Sequence, residues 1–363
     1  MAKKVASDAT LFAVTAALLG LGLVMVWSAS YNLAQERHGN PYHFLMKQVL
    51  WACLGLMVMV LAMRIDYRKL RQPGVVYSAV GGTAVLLIVV LFMPEVNDTH
   101  RWIRIGGLSF QPAELAKLTV ILFLAYHLER KADRVNDFLS GLFPALLLLG
   151  WFAFLIYNQP DLGSAATLVL IGAVMLFLGG VRLRYFATLG VVGVPLLAHM
   201  IMQAAYRRER IEAFLNPWSD ARGSGYQIIQ SLIAVGTGGL TGKGLMEGQQ
   251  KNFYLPYPYS DFIFAVIGEE LGLVGALCVL GGFVLFLWRG IRAAWNAPDP
   301  FGMHLAAGLT LAVVLQAFTN LSVVVGLVPT KGIVLPFISA GGSSLVLTLF
   351  AVGLLLNVSQ HGS

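Results

Sequence analysis

Charge is what this chain is short of. Only 12% of its 363 residues are Asp, Glu, Lys or Arg, against about 25% in ordinary soluble domains. That shortage, set beside 57% hydrophobic residues, excludes a water-soluble globular fold. Cysteine is nearly absent as well. Cys53 and Cys278 both fall inside apolar stretches, so they are expected to be packed as small hydrophobes rather than joined or metal-bound. The seven histidines are scattered with no ligand-type spacing, which excludes a zinc motif. No Ser-His-Asp arrangement and no paired-cysteine motif is present. The net charge of +7 does not imply nucleic acid, because basic residues of membrane proteins gather in the loops on one side for topological reasons.

What the chain has in abundance is long apolar segments. A helix needs roughly 20 mostly apolar residues to cross a bilayer core about 30 Å thick. Lipid cannot satisfy stray backbone groups, so an all-α, polytopic helix bundle is the expected architecture. Candidate spans cover 10–28, 46–63, 74–93, 113–129, 141–158, 163–180, 184–204, 261–288, 303–327 and 337–358. That makes about ten transmembrane helices in one transmembrane domain, 1–363. The fifth and sixth are separated only by Asn158-Gln159-Pro160-Asp161, which reads either as a tight hairpin or as a break in one helix. The first span, preceded by Lys3 and Lys4, exceeds the 7–15 apolar residues of a cleaved signal and is read as retained.

Short loops alternate in charge. Arg64, Arg68, Lys69 and Arg71, then Arg130, Lys131 and Arg134, then Arg182 and Arg184, then Arg289 and Arg292 fall on one side with Lys3 and Lys4. The positive-inside rule makes that side cytoplasmic and puts both termini there. Loops 29–45, 94–112, 205–260 and 328–336 then face outward. Loop 205–260, between the seventh and eighth spans, is too long for an idle connection. Its amphipathic stretches predict short helices at the outer face.

Several polar residues sit where a membrane protein tolerates them only for a reason. Asp261 opens the eighth span, where it reads either as a helix N-cap or as a carboxylate at a membrane-edge cavity, its pKa set by partial burial, acting as general base. Glu269 and Glu270 follow about 12 Å deeper; intramembrane carboxylates face a cavity or a partner, so a structural salt bridge and a functional role are both open. Glu114 and Lys117 at the start of the fourth span share a helix face, as a bracing ion pair or with Lys117 positioning an anionic substrate. Arg101 and Arg104 flank Trp102; Trp102 suits an interfacial belt, and the arginines suit phosphate. Lys331 precedes Gly341-Gly342-Ser343-Ser344, where a helix N-terminus with exposed donors would receive an anion and small residues would equally allow close packing. The glycine-rich stretch 236–244 fails as a nucleotide loop: Thr237 stands where the first glycine is required and Gly244 where Ser or Thr is. One acid, several cations and donor-rich helix starts on the outer face, beside lipid, suit a polyprenyl substrate with a phosphate head.

Together these motifs resemble the shape, elongation, division and sporulation (SEDS) family over nearly the whole chain. The resemblance is most specific in residues 320–344, in Gly242-Lys243-Gly244 through Gln249-Gln250-Lys251-Asn252-Phe253-Tyr254-Leu255-Pro256, and in 261–272. It implies a peptidoglycan glycosyltransferase of the cytoplasmic (inner) membrane that polymerises lipid II on the outer face. Its implied partners are a class B penicillin-binding protein transpeptidase and other divisome membrane proteins. Pro329-Thr330-Lys331-Gly332 looks more like the division branch than the elongation branch. Two departures stand out: Tyr257-Pro258-Tyr259-Ser260 where many members have Glu-Ala-His-Thr, and His100 where an arginine is common. The resemblance implies displacement with inversion at an undecaprenyl diphosphate donor, with Asp261 as catalytic base. Arg101, Trp102, Arg104, Glu114, Lys117, Lys243, Lys251, Lys331, Ser343 and Ser344 would bind substrate, and Glu269 and Glu270 would support the site. The motifs specify no cofactor, and a divalent cation (magnesium or manganese) could share the leaving-group charge. A lipid II flippase and a non-enzymatic scaffold remain open alternatives.

Overall fold

The computed structural model describes residues 7–95, 99–105 and 108–362, so the expectations for Lys3 and Lys4 lie outside the described residues. Among the described residues ten long helices run back and forth: α1 Ala9–His38, α2 His43–Arg64, α3 Pro73–Val89, α4 Pro112–Arg130, α5 Phe143–Tyr157, α6 Leu162–Leu178, α7 Leu183–Gln203, α10 Ile263–Trp295, α11 Pro300–Val324 and α12 Gly342–Ser359. Among the described residues eight helical segments are long and apolar enough to cross a membrane; the segment Phe138–Tyr157, which includes α5, is one of them. Of the other two, α6 is one residue short at 17, and α4 carries Glu114, Lys117, Glu129 and Arg130. The expected ten spans are therefore present, and the chain is a multi-pass membrane protein. The fifth and sixth form a hairpin turning at 158–161.

The basic loops share one face. There Arg289 pairs with Asp8 at 2.6 Å, Arg68 with Asp299 at 3.4 Å, and Arg71 with Glu129 at 2.9 Å. The opposite face holds the longer connections. Between α3 and α4 lies the one pair of strands among the described residues, β1 Ile103–Ile105 and β2 Leu108–Phe110, antiparallel with Arg104 opposite Ser109. Loop 205–260 contains two short helices, α8 Ala205–Leu215 and α9 Tyr226–Thr237. α9 buries Ile228, Ile229 and Ala234 against the bundle.

Helix α7 buries no residue at all and stands at the bundle's edge with its apolar side chains turned outward. Cys53 and Cys278 are free and exposed on the outer surface of α2 and α10, which corrects the expectation that they pack inside. An exposed thiol is tolerable there because the surrounding surface is apolar and faces lipid.

The decisive local feature is a break in α10. Gly272 has φ 66° and ψ −162°, outside the range other residues adopt without strain. Four backbone groups lose their helical partners and find others in the glycine-rich loop. Lys243 N–H donates to Glu269 O at 3.0 Å and Gly244 N–H to Glu270 O at 3.1 Å; Leu273 N–H donates to Gly239 O at 2.9 Å and Val274 N–H to Leu240 O at 3.2 Å. The stretch that failed as a nucleotide loop thus repairs an interrupted membrane helix. A Cβ at Gly272 would strike the Gly242 nitrogen and Leu240 carbonyl. Gly272→Ala is therefore expected to lower the thermal unfolding midpoint in detergent markedly. Gly281→Ala, on the same helix with open space around it, should leave it unchanged or slightly raised.

Candidate active site

Two buried carboxylates anchor the glycine-rich loop. Glu269 and Glu270 are 0% exposed. Glu269 pairs with Lys243 at 2.7 Å and accepts the backbone N–H groups of Gln249 and Gln250 at 2.9 and 3.0 Å. Glu270 pairs with Lys251 at 2.6 Å and accepts from Ser28 Oγ in α1 at 2.6 Å. Gly248 lies between the two acids, where any side chain would crowd both. The supporting role expected of Glu269 and Glu270 thus has a physical form: they fasten the loop and α1 to the broken helix. Lys251 was expected among the substrate ligands, but its side chain is only 3% exposed and its ammonium is spent on Glu270 and Ser28. Lys243 is likewise committed to Glu269.

That anchored loop leads into the turn carrying Asp261. Asp261 sits one residue before the helix N-cap, which is Phe262 and has no side-chain cap bond, so Asp261 does not cap α10 as one reading of the sequence had it. Its turn is stitched to segment 331–340 instead. Asn320 Nδ2, from α11, donates to Asp261 O at 2.8 Å and to Ile333 O at 2.6 Å. Ser339 Oγ donates to Ser260 O at 2.6 Å, and Ala340 N–H to Tyr259 O at 2.9 Å. The Asp261 carboxylate lies over Gly332, where even a methyl group would come within 2.9 Å of Oδ2. Burial raises its pKa to about 6, against the opposing pull of Ser260 and Arg210.

Lys331, next in sequence to Gly332, faces a different group. Its stem lies along the bare Cα of Gly163, beside Asp161, while Arg101, Lys117 and Glu114 also act on its charge. Burial lowers its pKa to about 8, with Asp161 pulling the other way. Arg101 lies across the α5–α6 turn, donating to Gln159 O at 3.3 Å and to Pro160 O, with Nε 3.8 Å from Asp161 Oδ2. Glu114 and Lys117 form the expected ion pair at 2.8 Å, and Lys117 also donates to Gln316 at 2.6 Å. A cavity of about 20 Å³ lined by these three side chains has room for about one water molecule.

The remaining expected residues are less central. Trp102 is half-buried and Arg104 exposed on the small hairpin. Ser343 and Ser344 were expected to bind substrate at the start of α12. Both are buried, with Ser343 Oγ accepting Gln111 N–H at 3.3 Å and Ser344 Oγ reaching Glu114 at 3.5 Å. They tie α12 to α4 rather than face a cleft. Asp161, Arg210, Asn320 and Gln316 did not stand out in the sequence as site residues. Asp161 was visible only as punctuation between spans, although an acid directly before an apolar run signals a cap. The others carry no local signal. Among the described residues no group of three or more His, Cys, Asp or Glu side chains could hold a metal. The donors around Asp261 and Lys331 are mostly cationic and fit an anion better than a cation.

The pairing of Lys251 with Glu270 is testable by itself. Breaking a buried pair by removing one partner costs about 3–5 kcal/mol, so Lys251→Met should lower stability by an amount of that order. Lys251→Met with Glu270→Gln should recover part of it, read as unfolding midpoints in detergent.

Residues 9–363 match the family model described as cell cycle protein, the group of FtsW, RodA and SpoVE. The chain is 45% identical over 358 residues to a probable peptidoglycan glycosyltransferase FtsW of Geobacter sulfurreducens, covering 98% of this chain and 95% of that one. It is 42% identical over 363 residues to stage V sporulation protein E of Bacillus subtilis, covering 99% and 98%. Among solved structures it superposes with a TM-score of 0.79 and 33% identity on a chain of a peptidoglycan synthase complex that coordinates polymerization and crosslinking, covering 98% of each. It also superposes with a TM-score of 0.72 and 30% identity on the rod shape determining protein RodA of Thermus thermophilus, covering 98% and 97%. With ten spans in the expected order and a match over nearly its whole length, the chain belongs to the FtsW, RodA and SpoVE family of cell cycle proteins.

Proposed function

We propose that this protein is a peptidoglycan glycosyltransferase that polymerises lipid II into glycan strands on the outer face of the cytoplasmic membrane, in septal synthesis. The observation that carries this reading is the adjacency of opposite chemistries. Asp261 lies over Gly332, and the preceding residue, Lys331, extends to the α5–α6 turn, where Arg101 supplies a second cation beside Asp161. Consecutive Cα atoms are 3.8 Å apart, so one short segment serves a base and an anion site together. The names of the FtsW relatives support the activity, and the peptidoglycan synthase complex supports a penicillin-binding protein as partner. The basic loops support an orientation with both termini in the cytoplasm and the Asp261 face outside.

In this mechanism Asp261 takes the proton from the acceptor sugar hydroxyl as the hydroxyl oxygen attacks the donor's anomeric carbon. The bond to the undecaprenyl diphosphate breaks on the opposite side, giving inversion. Lys331 and Arg101 hold the diphosphate as its charge develops, a preorganised electrostatic contribution of the kind that dominates many enzymes. The Glu114–Lys117 pair lies below, with Lys117 adding positive potential.

Three outcomes are expected. Asp261 must be ionised and Lys331 protonated, so polymerisation should rise as pH passes through about 6 and fall above about 8. Asp261→Asn should lower the rate by about 10²–10⁴-fold, measured on purified protein with its transpeptidase partner and lipid II in detergent, where there is no membrane to flip across. Wild-type turnover in that variant would rule Asp261 out as base; no polymer from the wild type would favour a flippase or scaffold. A fluorescent fusion should gather at the septum, and sidewall placement would assign the protein to elongation instead.

A further inference from the structure

The turn between α5 and α6 has no part in the mechanism above, yet it holds a buried acid beneath both cations. Asp161 is 4% exposed. Its two oxygens are held by Ser164, with the backbone N–H on Oδ1 at 3.0 Å and the hydroxyl on Oδ2 at 2.7 Å. An acid fixed in this way cannot swing out to block an anion. Arg101 spends donors on the carbonyls of Gln159 and Pro160, which orients its guanidinium along the turn. Lys331 reaches the turn only because residue 163 is glycine; a Cβ there would overlap its stem and ammonium. Among the described residues no protein acceptor is hydrogen-bonded to Lys331 Nζ, so its donors are left for a ligand.

We propose that Asp161 and Gly163 form a positioning platform that holds Lys331 and Arg101 side by side as a clamp for the diphosphate of the polyprenyl-linked sugar, without Asp161 touching the substrate. This rests on the glycosyltransferase reading. Two like charges at a half-buried site repel each other, and burial favours loss of the lysine proton. A fixed anion beneath them offsets both effects. The field is reciprocal: burial alone would raise the Asp161 pKa, but Lys331 and then Arg101 hold it below the ordinary value. The groups facing Lys331 are Asp161 on the α5–α6 turn, Lys117 and Glu114 on α4, and Arg101 before β1. Of the two acids, Asp161 acts the more strongly on Lys331, and Glu114 is already paired with Lys117.

The test is competitive acetylation of Lys331 by acetic anhydride from pH 6 to pH 10 in the full-length protein, read by mass spectrometry with and without inorganic pyrophosphate. Wild type should titrate near pH 8 and be protected by pyrophosphate. Asp161→Asn keeps a good cap residue but removes the charge, so its titration should move to lower pH and its protection weaken. In lipid II polymerisation, the ratio of its rate at pH 6.5 to that at pH 8.5 should rise by about threefold or more over wild type. Gly163→Ala should displace the lysine stem and weaken protection while leaving the acid in place. Unchanged titration and protection in Asp161→Asn would overturn the proposal, as would unchanged protection in Gly163→Ala. A wild type that shows the labelling pattern but makes no polymer would overturn the glycosyltransferase reading and leave the platform standing.

Discussion

A helix that breaks inside a membrane protein must have its freed backbone groups paired, because lipid offers them nothing. That constraint organises the half of this molecule that lies opposite the basic loops. The break at Gly272 frees four groups, and the loop of residues 239–244 satisfies all four. The loop is secured in turn by two ion pairs, Lys243 with Glu269 and Lys251 with Glu270. Ser28 on α1 joins the second pair, so the first helix is locked to the same point. Without this junction the chain between α9 and α10 would have no fixed path.

The position of Asp261 follows from the junction. The residues leading to it descend from the anchored loop, and segment 331–340 is stitched along the same turn by Asn320, Ser339 and Ala340. Segment 331–340 can therefore present Lys331 toward the α5–α6 turn while Gly332 passes beneath Asp261. Glycine is needed at both contacts, at 163 for the lysine stem and at 332 for the carboxylate. The charges in this region form a graded set. Glu269, Glu270, Lys243 and Lys251 are committed to structure. Glu114 and Lys117 are paired beside a small cavity. Asp261, Lys331 and Arg101 are the ones that the proposed reaction assigns to its substrates. Ionisable groups in a membrane are costly, and each of these is either neutralised in place or set near the face opposite the basic loops.

Ten spans, their alternation and the gathering of basic loops on one face were all legible in the sequence, because apolar length and short-loop charge are local properties set by the thickness and field of the bilayer. The Glu114–Lys117 pair was legible for a similar reason, since three residues along a helix bring two side chains to one face. Asp261 stood out as an acid at a span boundary, and the family motifs marked its surroundings. The sequence also announced that 205–260 was more than a connection, though only as amphipathic stretches.

Which lysine meets which acid was decided by the tertiary structure alone. Lys243 and Lys251 read as substrate ligands just as Lys331 did, and nothing in their neighbours along the chain distinguishes a cation that seals a buried glutamate from one that is left open. The same holds for Ser343 and Ser344, whose hydroxyls turn to α4 rather than to a cleft, and for Asp161, which looked like punctuation until the fold laid Arg101 and Lys331 against it. Apolar periodicity is written into consecutive residues. The pairing of charges depends on closure of the bundle, where a side chain's partner lies from 19 residues away, as for Lys251 and Glu270, to 281, as for Arg289 and Asp8, and only the packing of the elements selects it.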